Sequence, residues 1–402
     1  MNQEIHLMRG GVTSPKGFLA DGVSCGIKKK GKRDLALVYT PTKANAAGVF
    51  TKNFCRAACV DYTKKAIKNG TLGAVIINSG NANACTGSHG VQSPKDTACA
   101  AGELLGIPTS TVAVCSTGVI GVRLPMKKIY QGLKLLRLSR KHGTRASQAI
   151  MTTDKVHKER AVRFSLGTKT VTIGGMAKGA GMIHPNMATM IAVLTTDVHI
   201  STPLLNKALK RANQKSFNAI TVDGDESTND TVLLLANGCV THPNLRREDK
   251  HFRKFERALT MLMEEFAQDI VRDGEGATKC VEVLLQKAKS ESTAKKYAEA
   301  ISTSALVKTS LYGEDPNWGR IIAAMGSVKT PFHKNRLAIY FDKVCVVKKG
   351  VEMPGSQSRA KKVMSKKEFQ IRVVINQGQA ESKMWTSDLT HEYIRINANY
   401  RS

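Results

Sequence analysis

The sequence predicts an α/β protein in which layered mixed β-sheets are flanked by helices. Short apolar runs rich in β-branched residues recur between residues 73 and 375, and they have the length of buried strands. Amphipathic segments with helical periodicity lie between these runs. The 402 residues, 42% of them hydrophobic, are enough for a large interior spread over more than one layer.

In the first half of the chain, predicted strands alternate with helices and glycine-containing turns. The predicted elements are a strand over 73–78, a helix over 93–105, a strand over 111–115, a helix over 126–140 and a hairpin of 162–165 with 170–173. Ser93 is the expected N-cap of its helix, because serine accepts a backbone hydrogen bond there and Pro94 suits the first turn. Gly167 marks the turn of the hairpin.

The second half repeats this alternation. The predicted elements are strands over 190–194, 219–222, 281–285, 337–341 and 369–375, and helices over 203–214 and from about 249 to 272. The basic segment 348–367 contains two glycines, a proline and several serines. That composition predicts an exposed loop.

The charge of the chain is strongly positive. The 61 basic and 32 acidic residues give a formal net charge of +29, which attracts nucleic acids, anionic membranes and small acidic molecules. The lysines are spread along the chain, and aromatic residues, which stack on bases, make up only 5%. We therefore expect a generally basic surface and an acidic small-molecule substrate, with no nucleic-acid or membrane partner.

Several features indicate a cytoplasmic protein. No apolar run approaches the roughly 20 residues that cross a bilayer, and residues 1–17 lack the apolar core of a secretory signal. The nine cysteines are dispersed and form no C-x-x-C pair. Such a set fits reduced thiols better than a disulfide framework or a zinc site.

Neither a metal site nor a nucleotide cofactor is predicted. The ten histidines include no H-E-x-x-H pair, and the acidic run 223–226 lacks the ligand spacing of an EF-hand loop. Gly174 and Gly179 have the separation of a phosphate-binding loop, but Ala180 occupies the position of its lysine. We expect the protein to work without a cofactor.

The segment KGAGMIHPNMATMIAVLTTD, residues 178–197, is the most informative stretch of the chain. A loop leads through Ala188 into Thr189, and an apolar strand follows at once. A threonine hydroxyl needs a base, and cleavage before Thr189 would supply one as the new α-amine, whose pKa is about 8. The same pattern is also that of a β-branched residue that opens a buried strand, so the segment alone leaves both interpretations open.

Motifs along the whole chain resemble the ornithine acetyltransferase family, also called glutamate N-acetyltransferase or the ArgJ group. In order, they are NSGNANACTG (78–87), STGVIG (116–121), MTTD (151–154), the segment 178–197, TVDGDESTND (221–230), DGEGATK (273–279), EDPNWGR (314–320) and YIRINANYRS (393–402). Two features depart from the family pattern: Cys59 stands where proline is common, and the chain is unusually basic.

The resemblance implies an ArgJ/DmpA-like fold of the N-terminal-nucleophile type that cleaves itself between Ala188 and Thr189. An alpha chain (1–188) would carry the oxyanion hole and substrate-binding loops, and a beta chain (189–402) the nucleophile and the last substrate contacts. Two of each would form a heterotetramer. The implied reaction moves acetyl from N2-acetyl-L-ornithine to L-glutamate through acetyl-Thr189, by ping-pong kinetics. Use of acetyl-CoA as a second donor stays open.

The resemblance also assigns roles to individual residues. Thr189 would be the nucleophile, and Thr117 with Gly118 would form the oxyanion hole, where a turn glycine lets a backbone amide approach the substrate. The implied substrate contacts are Thr152, Lys178, Thr189, Glu275, Asn397 and Ser402. Thr153 stays an alternative to Thr152. A carboxylate at Glu275 suits the ammonium of a substrate such as ornithine.

Two other functions are compatible with parts of the sequence. An N-terminal-nucleophile amidase or aminopeptidase would share the self-cleavage but pass its acyl group to water. A basic RNA-binding protein would use the positive charge, but the aromatic residues are sparse and no RNA-binding motif is present. We therefore place the amidase second and RNA binding third.

Overall fold

The computed structural model describes residues 5–29, 31–184, 190–242 and 244–399. In these ranges two mixed β-sheets are layered with helices, which confirms the predicted α/β class. The strands are β1 (His6–Met8), β2 (Leu19–Val23), β3 (Leu35–Phe50), β4 (Thr71–Asn81), β5 (Val112–Val119), β6 (Lys158–Leu166), β7 (Lys169–Lys178), β8 (Ile191–Thr196), β9 (Ile220–Thr221), β10 (Thr231–Ala236), β11 (Cys280–Ala288), β12 (Ala338–Phe341), β13 (Val344–Lys348), β14 (Val351–Glu352), β15 (Glu368–Val374) and β16 (Ala380–Ser387). The α-helices are α1 (Ala58–Ala66), α2 (Gly87–Leu105), α3 (Met126–Leu135), α4 (Gly143–Ala149), α5 (Thr202–Lys215), α6 (Lys250–Arg272), α7 (Glu291–Thr303), α8 (Ala305–Tyr312), α9 (Trp318–Gly326), α10 (Gln357–Met364) and α11 (His391–Asn399).

The first sheet has the strand order β1-β6-β7-β8-β10-β3-β4-β5, with β2 paired to β3. Its central strand β8 runs antiparallel to β7 and parallel to β10, and all six of its residues are buried. The predicted hairpin is present, with Leu166 opposite Lys169 and Gly167 at a φ of +62°. Glycine adopts that conformation without a steric penalty.

This sheet folds over on itself. Five strand-to-strand steps separate β7 from β5, or about 24 Å in a flat sheet at ~4.8 Å a step. Yet Lys178 Nζ at the end of β7 lies 3.4 Å from Thr117 Oγ1 on β5. The long strand β3 has a register shift between Tyr39 and Ala44, and apolar residues of β4 and β5 share one core with β8 and β10. The fold therefore brings distant strand ends together.

Helix α6 packs between the two sheets, and α5 packs beside it against the first sheet. In α6 the buried positions Phe252, Phe255, Leu259, Leu262 and Phe266 recur at helical spacing and face one core. The Asp249 side chain caps the helix by accepting hydrogen bonds from the backbone N–H groups of residues 251 and 252. This helix agrees with the prediction from about 249 to 272.

The second sheet has the order β14-β13-β12-β15-β11-β16-β9. Its core is built on the buried side chains of β11, β12 and β15, together with those of α7, and Tyr297 is among its largest members. The short strand β9 joins this sheet through Trp385. β9 is an edge strand of this sheet, and the N–H of Val222, directly after it, donates a 2.9 Å hydrogen bond to the carbonyl of Ile183, beyond the end of β7.

The predicted start of the second helix was wrong. Helix α2 begins at Gly87, so Ser93 and Pro94 lie inside it rather than at its N-cap. Proline removes the hydrogen bond that would reach the carbonyl four residues earlier. Here that carbonyl, of Gly90, accepts a 3.0 Å hydrogen bond from Asn83 Nδ2. A contact from outside the helix therefore lets it run through the proline.

The predicted helix over 126–140 is shorter than expected and ends at Leu135. The Arg137 N–H, which would continue the helix, donates instead to Oδ2 of the buried Asp21 at 2.8 Å. The local sequence does not predict this hydrogen bond, because Asp21 is 116 residues away from Arg137.

The segment 348–367 is not simply the exposed loop that its composition predicts. It contains β14 and the helix α10. Ala360, Val363 and Met364 have helical spacing and pack into the core of the second sheet. The lysines of this segment are exposed, as are Ser358 and Ser365, whereas Ser356 is buried.

Candidate active site

The carboxyl ends of the parallel strands β4 and β5 form one wall of a cleft. Gly118, near the end of β5, pairs with Gly80 and has a φ of +132°, which favours glycine. A Cβ atom at position 118 would lie 2.3 Å from the carbonyl carbon of Gly80. Only glycine therefore allows this approach, which places the Thr117–Gly118 pair on the cleft wall.

Lys178 lies at the base of the cleft. It is the last residue of β7, and only 3% of its surface is exposed. Its Nζ lies 3.4 Å from Thr117 Oγ1. Burial lowers the pKa of Lys178, and the carboxylate of Asp154 opposes that shift. The lysine amine and the threonine hydroxyl thus form one polar group beside Gly118.

Asp154 connects Lys178 to the segment that carries Thr152. Its carboxylate accepts a hydrogen bond from the Thr152 N–H at 2.9 Å and one from the Gly179 N–H at 2.7 Å. Because these bonds come from two different chain segments, they fix the position of Thr152 relative to the end of β7. Thr152 and Thr153 both line the cleft, so the choice between them as a substrate contact stays open.

A buried ion-pair network lies behind this connection. Lys158 Nζ is 2.8 Å from Asp154 Oδ1 and 2.6 Å from Asp273 Oδ2. Burial by itself would raise the pKa of Asp154, but the ammonium groups of Lys158 and Lys178 hold the pKa of that carboxyl well below its usual range. Burial lowers the pKa of Lys158, and the two carboxylates more than offset that effect.

Glu275 lies on the side of the cleft that faces the C-terminal helix α11. Its Oε2 accepts a 2.9 Å hydrogen bond from Asn397 Nδ2, and its backbone N–H donates to Ala180 O at 2.8 Å. A Cβ atom on Gly181 would lie 2.4 Å from the Glu275 carboxyl group. Glycine at 181 therefore leaves room for a buried carboxylate directly beside the chain segment that leads toward Thr189.

Asp223 and Tyr393 organise the same side of the cleft. The Asp223 carboxylate accepts hydrogen bonds from the backbone N–H groups of Met182 (2.5 Å) and Ile183 (2.8 Å), and the Tyr393 hydroxyl donates to it at 3.3 Å. Burial raises the pKa of Asp223. Burial and the neighbouring carboxylate of Asp223 also raise the pKa of Tyr393, so the phenol stays a donor at neutral pH.

These groups enclose a cleft with a volume of about 300 Å³. Of the site residues expected from the sequence, six line it: Thr117, Gly118, Thr152, Lys178, Glu275 and Asn397. They come from widely separated parts of the chain, and the structure brings them together. The remaining expected residues, Ala188, Thr189 and Ser402, lie outside the described residues.

Sequence reasoning assigned no role in the site to Asn229, Asp223 or Tyr393. All three line the cleft. Asp223 and Asn229 belong to the block 221–230, whose acidic residues suggest calcium ligands but lack the spacing of an EF-hand loop. Its dense polar residues, directly before the buried strand β10, were the available signal. Tyr393 opens the last block and gave no separate signal.

The composition of the cleft suits a small molecule that carries both charges. The cleft is lined by the Lys178 amine, the Thr117 hydroxyl and the carboxylates of Asp223 and Glu275, and its volume is at the lower end of the range for ligand sites. The Thr117–Gly118 turn could present donors to an oxyanion. Within the described ranges no cluster of side chains suits a metal ion, and no described helix combines the length and the apolarity needed to cross a bilayer.

Comparison with known proteins gives a consistent picture. The model of the ArgJ family matches residues 19–402. The chain is 44% identical over 399 residues to the arginine biosynthesis bifunctional protein ArgJ of Symbiobacterium thermophilum, covering 98% of this chain and 99% of that protein. It is 43% identical over 400 residues to the protein of the same name from Bacillus subtilis, covering 99% and 98%. A solved structure of ornithine acetyltransferase complexed with ornithine, from Mycobacterium tuberculosis, is 43% identical and aligns with a TM-score of 0.42 over 45% of this chain and 98% of that chain.

Proposed function

This chain belongs to the ArgJ family, and from that premise we propose that it is an arginine-biosynthetic acetyltransferase. It transfers acetyl from N2-acetyl-L-ornithine to L-glutamate and releases L-ornithine and N-acetyl-L-glutamate. The observation that carries the proposal is the cleft itself. Thr117, Lys178 and Glu275 come from three separate segments and line one cavity of a size that suits a small amino-acid derivative.

The first step is self-cleavage between Ala188 and Thr189. The Thr189 hydroxyl attacks the carbonyl carbon of Ala188, the peptide C–N bond breaks, and the nitrogen takes up the hydroxyl proton to become the α-amine of Thr189. Water then hydrolyses the resulting ester. The products are an alpha chain (1–188) that ends in a carboxylate and a beta chain (189–402) that begins with Thr189.

The transfer uses the freed amine as the base. The Thr189 α-amine accepts the hydroxyl proton while Oγ attacks the acetyl carbonyl of N-acetylornithine. The Thr117–Gly118 pair stabilises the oxyanion of the tetrahedral intermediate. Its collapse breaks the amide bond, ornithine leaves with the proton, and acetyl-Thr189 remains. The neutral amine of glutamate then attacks this ester, which regenerates the Thr189 hydroxyl.

The other cleft residues hold the two substrates. Protonated Lys178 binds a substrate carboxylate, and Glu275 binds the side-chain ammonium of the ornithine moiety. The hydroxyl of Thr152 and the amide of Asn397 are placed to orient the substrate backbone, and we include Ser402 with these contacts. In support, the basic Lys178 and the acidic Glu275 line the same cleft.

The decisive experiment follows the acetyl group. The purified protein is incubated with N-acetylornithine alone and then with added glutamate. The transferase predicts that the 189–402 chain gains the mass of one acetyl group, and that this mass is lost as N-acetylglutamate forms. Steady release of acetate without glutamate would instead identify an amidase.

Variants at Thr189 test the nucleophile. Thr189→Ala should remain a single chain and form no acetyl-enzyme, because the attacking oxygen is gone. Thr189→Ser keeps a hydroxyl and should retain part of both reactions. A Thr189→Ala protein that is cleaved and active would contradict the mechanism.

Three finer properties complete the proposal. We propose that the alpha and beta chains assemble as a heterotetramer with two of each, which light scattering on the purified protein tests. A parallel assay with acetyl-CoA as donor decides whether this chain also makes N-acetylglutamate from that compound. A cytoplasmic location is supported by nine cysteines that are all unpaired.

A further inference from the structure

The dipeptide Asn229–Asp230 lies between the two strands on which the proposed chemistry depends. Both residues are buried, with 4% and 1% of their surface exposed. They directly precede β10, which is paired with β8 on one side and β3 on the other. The Asp230 side chain is hydrogen-bonded to the residue before β8, whereas the Asn229 side chain is hydrogen-bonded to β5.

Asp230 holds the beginning of β8. Its Oδ1 accepts a 2.9 Å hydrogen bond from the N–H of Met190, the residue directly after Thr189. The carbonyl of Met190 accepts a 3.1 Å hydrogen bond from the N–H of Thr231. Both backbone polar groups of Met190 are therefore bound to the beginning of β10, and its side chain is buried.

Asn229 holds the other strand. Its Nδ2 donates to the carbonyl of Ser116 at 2.8 Å and to the carbonyl of Ala82 at 2.7 Å. Ser116 is bonded directly to Thr117, the first residue of the proposed oxyanion hole. Two adjacent side chains therefore join β5, which carries Thr117, to the residue that follows the nucleophile.

The backbone of the dipeptide is itself immobilised. The carbonyl of Asp230 accepts a 3.0 Å hydrogen bond from the N–H of Thr51, just beyond β3. The second carboxyl oxygen, Oδ2, is buried and has no hydrogen-bond partner among the described residues. Burial raises the pKa of Asp230, and a protonated carboxyl can still accept the Met190 hydrogen bond through Oδ1.

Resting on the proposed function, we propose that Asn229 and Asp230 are positioning residues that set the distance between Thr189 and the Thr117–Gly118 oxyanion hole. Their role becomes most important after self-cleavage. The nucleophile has then lost its covalent link to Ala188, and Met190 is its one remaining covalent neighbour. The hydrogen bonds to Met190 are then the nearest described contacts that restrain the new N-terminus.

The test compares two substitutions of similar size. Asp230→Leu removes the acceptor for Met190, whereas Asp230→Asn keeps a carbonyl oxygen that can accept the same bond. We expect Asp230→Leu to lower the rate of acetyl-enzyme formation in a single turnover about 100-fold, the effect of a displacement near 1 Å. The KM for N-acetylornithine should change little, because the cleft contacts are retained. Asp230→Asn should restore most of the rate.

A matched control lies at the far end of the same strand. Asp197, directly after β8, is also buried and accepts backbone N–H bonds from Thr172 (2.8 Å) and Lys16 (3.0 Å). Asp197→Leu should lower the unfolding temperature and leave the acetylation rate unchanged. Equal rate losses in Asp197→Leu and Asp230→Leu, or failure of Asp230→Asn to restore the rate, would overturn the positioning role.

Two further measurements keep the outcome decisive. If Asp230→Leu does not fold, its rate cannot be measured. Hydrogen exchange of the Met190 amide is then measured in the wild type and in Asp230→Asn instead. Slow exchange in both supports the proposal, and fast exchange in the wild type overturns it. A wild type that never forms an acetyl-enzyme refutes the proposed function, whereas an active wild type with an equally active Asp230→Leu variant refutes the inference alone.

Discussion

In the proposed mechanism Lys178 can bind a substrate carboxylate only while its amine is protonated, and its burial works against protonation. Burial lowers the pKa of Lys178 from the value of about 10.4 for a free lysine side chain. The protonated fraction therefore falls as pH rises through this lowered pKa. We expect the KM for glutamate to rise on the alkaline side at a pH below about 10.4, as measured in pH profiles of initial rates.

Lys178→Met should remove this pH dependence. Methionine keeps most of the side-chain length and loses the charge. Loss of a charge-assisted hydrogen bond of about 1.5–3 kcal/mol predicts an increase in KM of about 10- to 100-fold at neutral pH. An unchanged KM in this variant would show that the lysine does not hold the substrate.

Glu275 should discriminate between the two substrates. N-acetylornithine carries a side-chain ammonium, whereas glutamate carries a carboxylate at the corresponding end. Glu275→Gln should therefore raise the KM for N-acetylornithine about 10-fold and change the KM for glutamate much less. Glu291→Gln, at an exposed position at the start of α7, is the control and should change neither value.

At the scale of the elements, the close approach of β4 and β5 makes Gly118 a sensitive position. A Cβ atom there would lie 2.3 Å from the carbonyl carbon of Gly80, so the strand ends would have to separate. Gly118→Ala should lower the free energy of unfolding by about 1–3 kcal/mol and reduce kcat, because the Thr117–Gly118 turn moves.

The neighbouring Gly121 provides the control for this substitution. Its φ of +79° is also positive, but a Cβ atom would meet no atom within 4 Å. Gly121→Ala should show the cost of the backbone conformation alone, about 1 kcal/mol. Equal effects of Gly118→Ala and Gly121→Ala on kcat and stability would mean that the close approach of β4 and β5 does not cause the losses in Gly118→Ala.

The ion-pair network of Asp154, Lys158 and Asp273 ties together the segments behind the cleft. The pKa of folded Asp154 lies below its usual range, so its charge adds stability above the unfolded value of about 3.9. That contribution disappears as pH falls through the acidic range. Asp154→Asn should lower the free energy of unfolding at neutral pH by about 3 kcal/mol, as expected for a broken buried pair.

Denaturant unfolding at several pH values measures this contribution. The difference between the wild type and Asp154→Asn should shrink as the pH is lowered below about 4. The exposed pair Glu392–Arg395 on α11 serves as the comparison. Glu392→Gln should change the stability by less than about 0.5 kcal/mol at any pH, because exposed pairs contribute little.

At the scale of the whole molecule, the proposed cleavage site divides the first sheet between two chains. Strands β8 and β10 belong to the second chain and are inserted between β7 and β3, which belong to the first. The register runs from Lys178 opposite Ile191 on one side to Phe50 opposite Thr231 on the other. Two strand seams and a shared core therefore hold the chains together.

We expect the cleaved chains to elute as one particle in native size-exclusion chromatography. They should separate only in a denaturant such as guanidinium chloride, because separation exposes two strand edges and the apolar core between the layers. Dissociation at high salt without denaturant would contradict this arrangement, since salt weakens charge pairs and leaves hydrophobic burial intact.

Local patterns predicted individual elements well where the signal was contained in the element. The apolar stripe predicted α6, and Gly167 predicted the turn of the β6–β7 hairpin. The start of α2 could not be predicted, because its passage through Pro94 depends on Asn83. By contrast, no strand was predicted over β3, although β3 pairs with both β10 and β4 and so joins the two halves of the first sheet.

The sequence by itself determined the α/β class, most of the long elements and the set of polar residues expected to act together. Only the tertiary structure decided that β5 and β7 meet across a folded sheet, which brings Thr117 within 3.4 Å of Lys178. It also decided that Asn229 and Asp230 link the two strands. Periodicity and capping depend on neighbours in the chain, whereas strand order depends on how all buried faces pack at once, and no short segment carries that information.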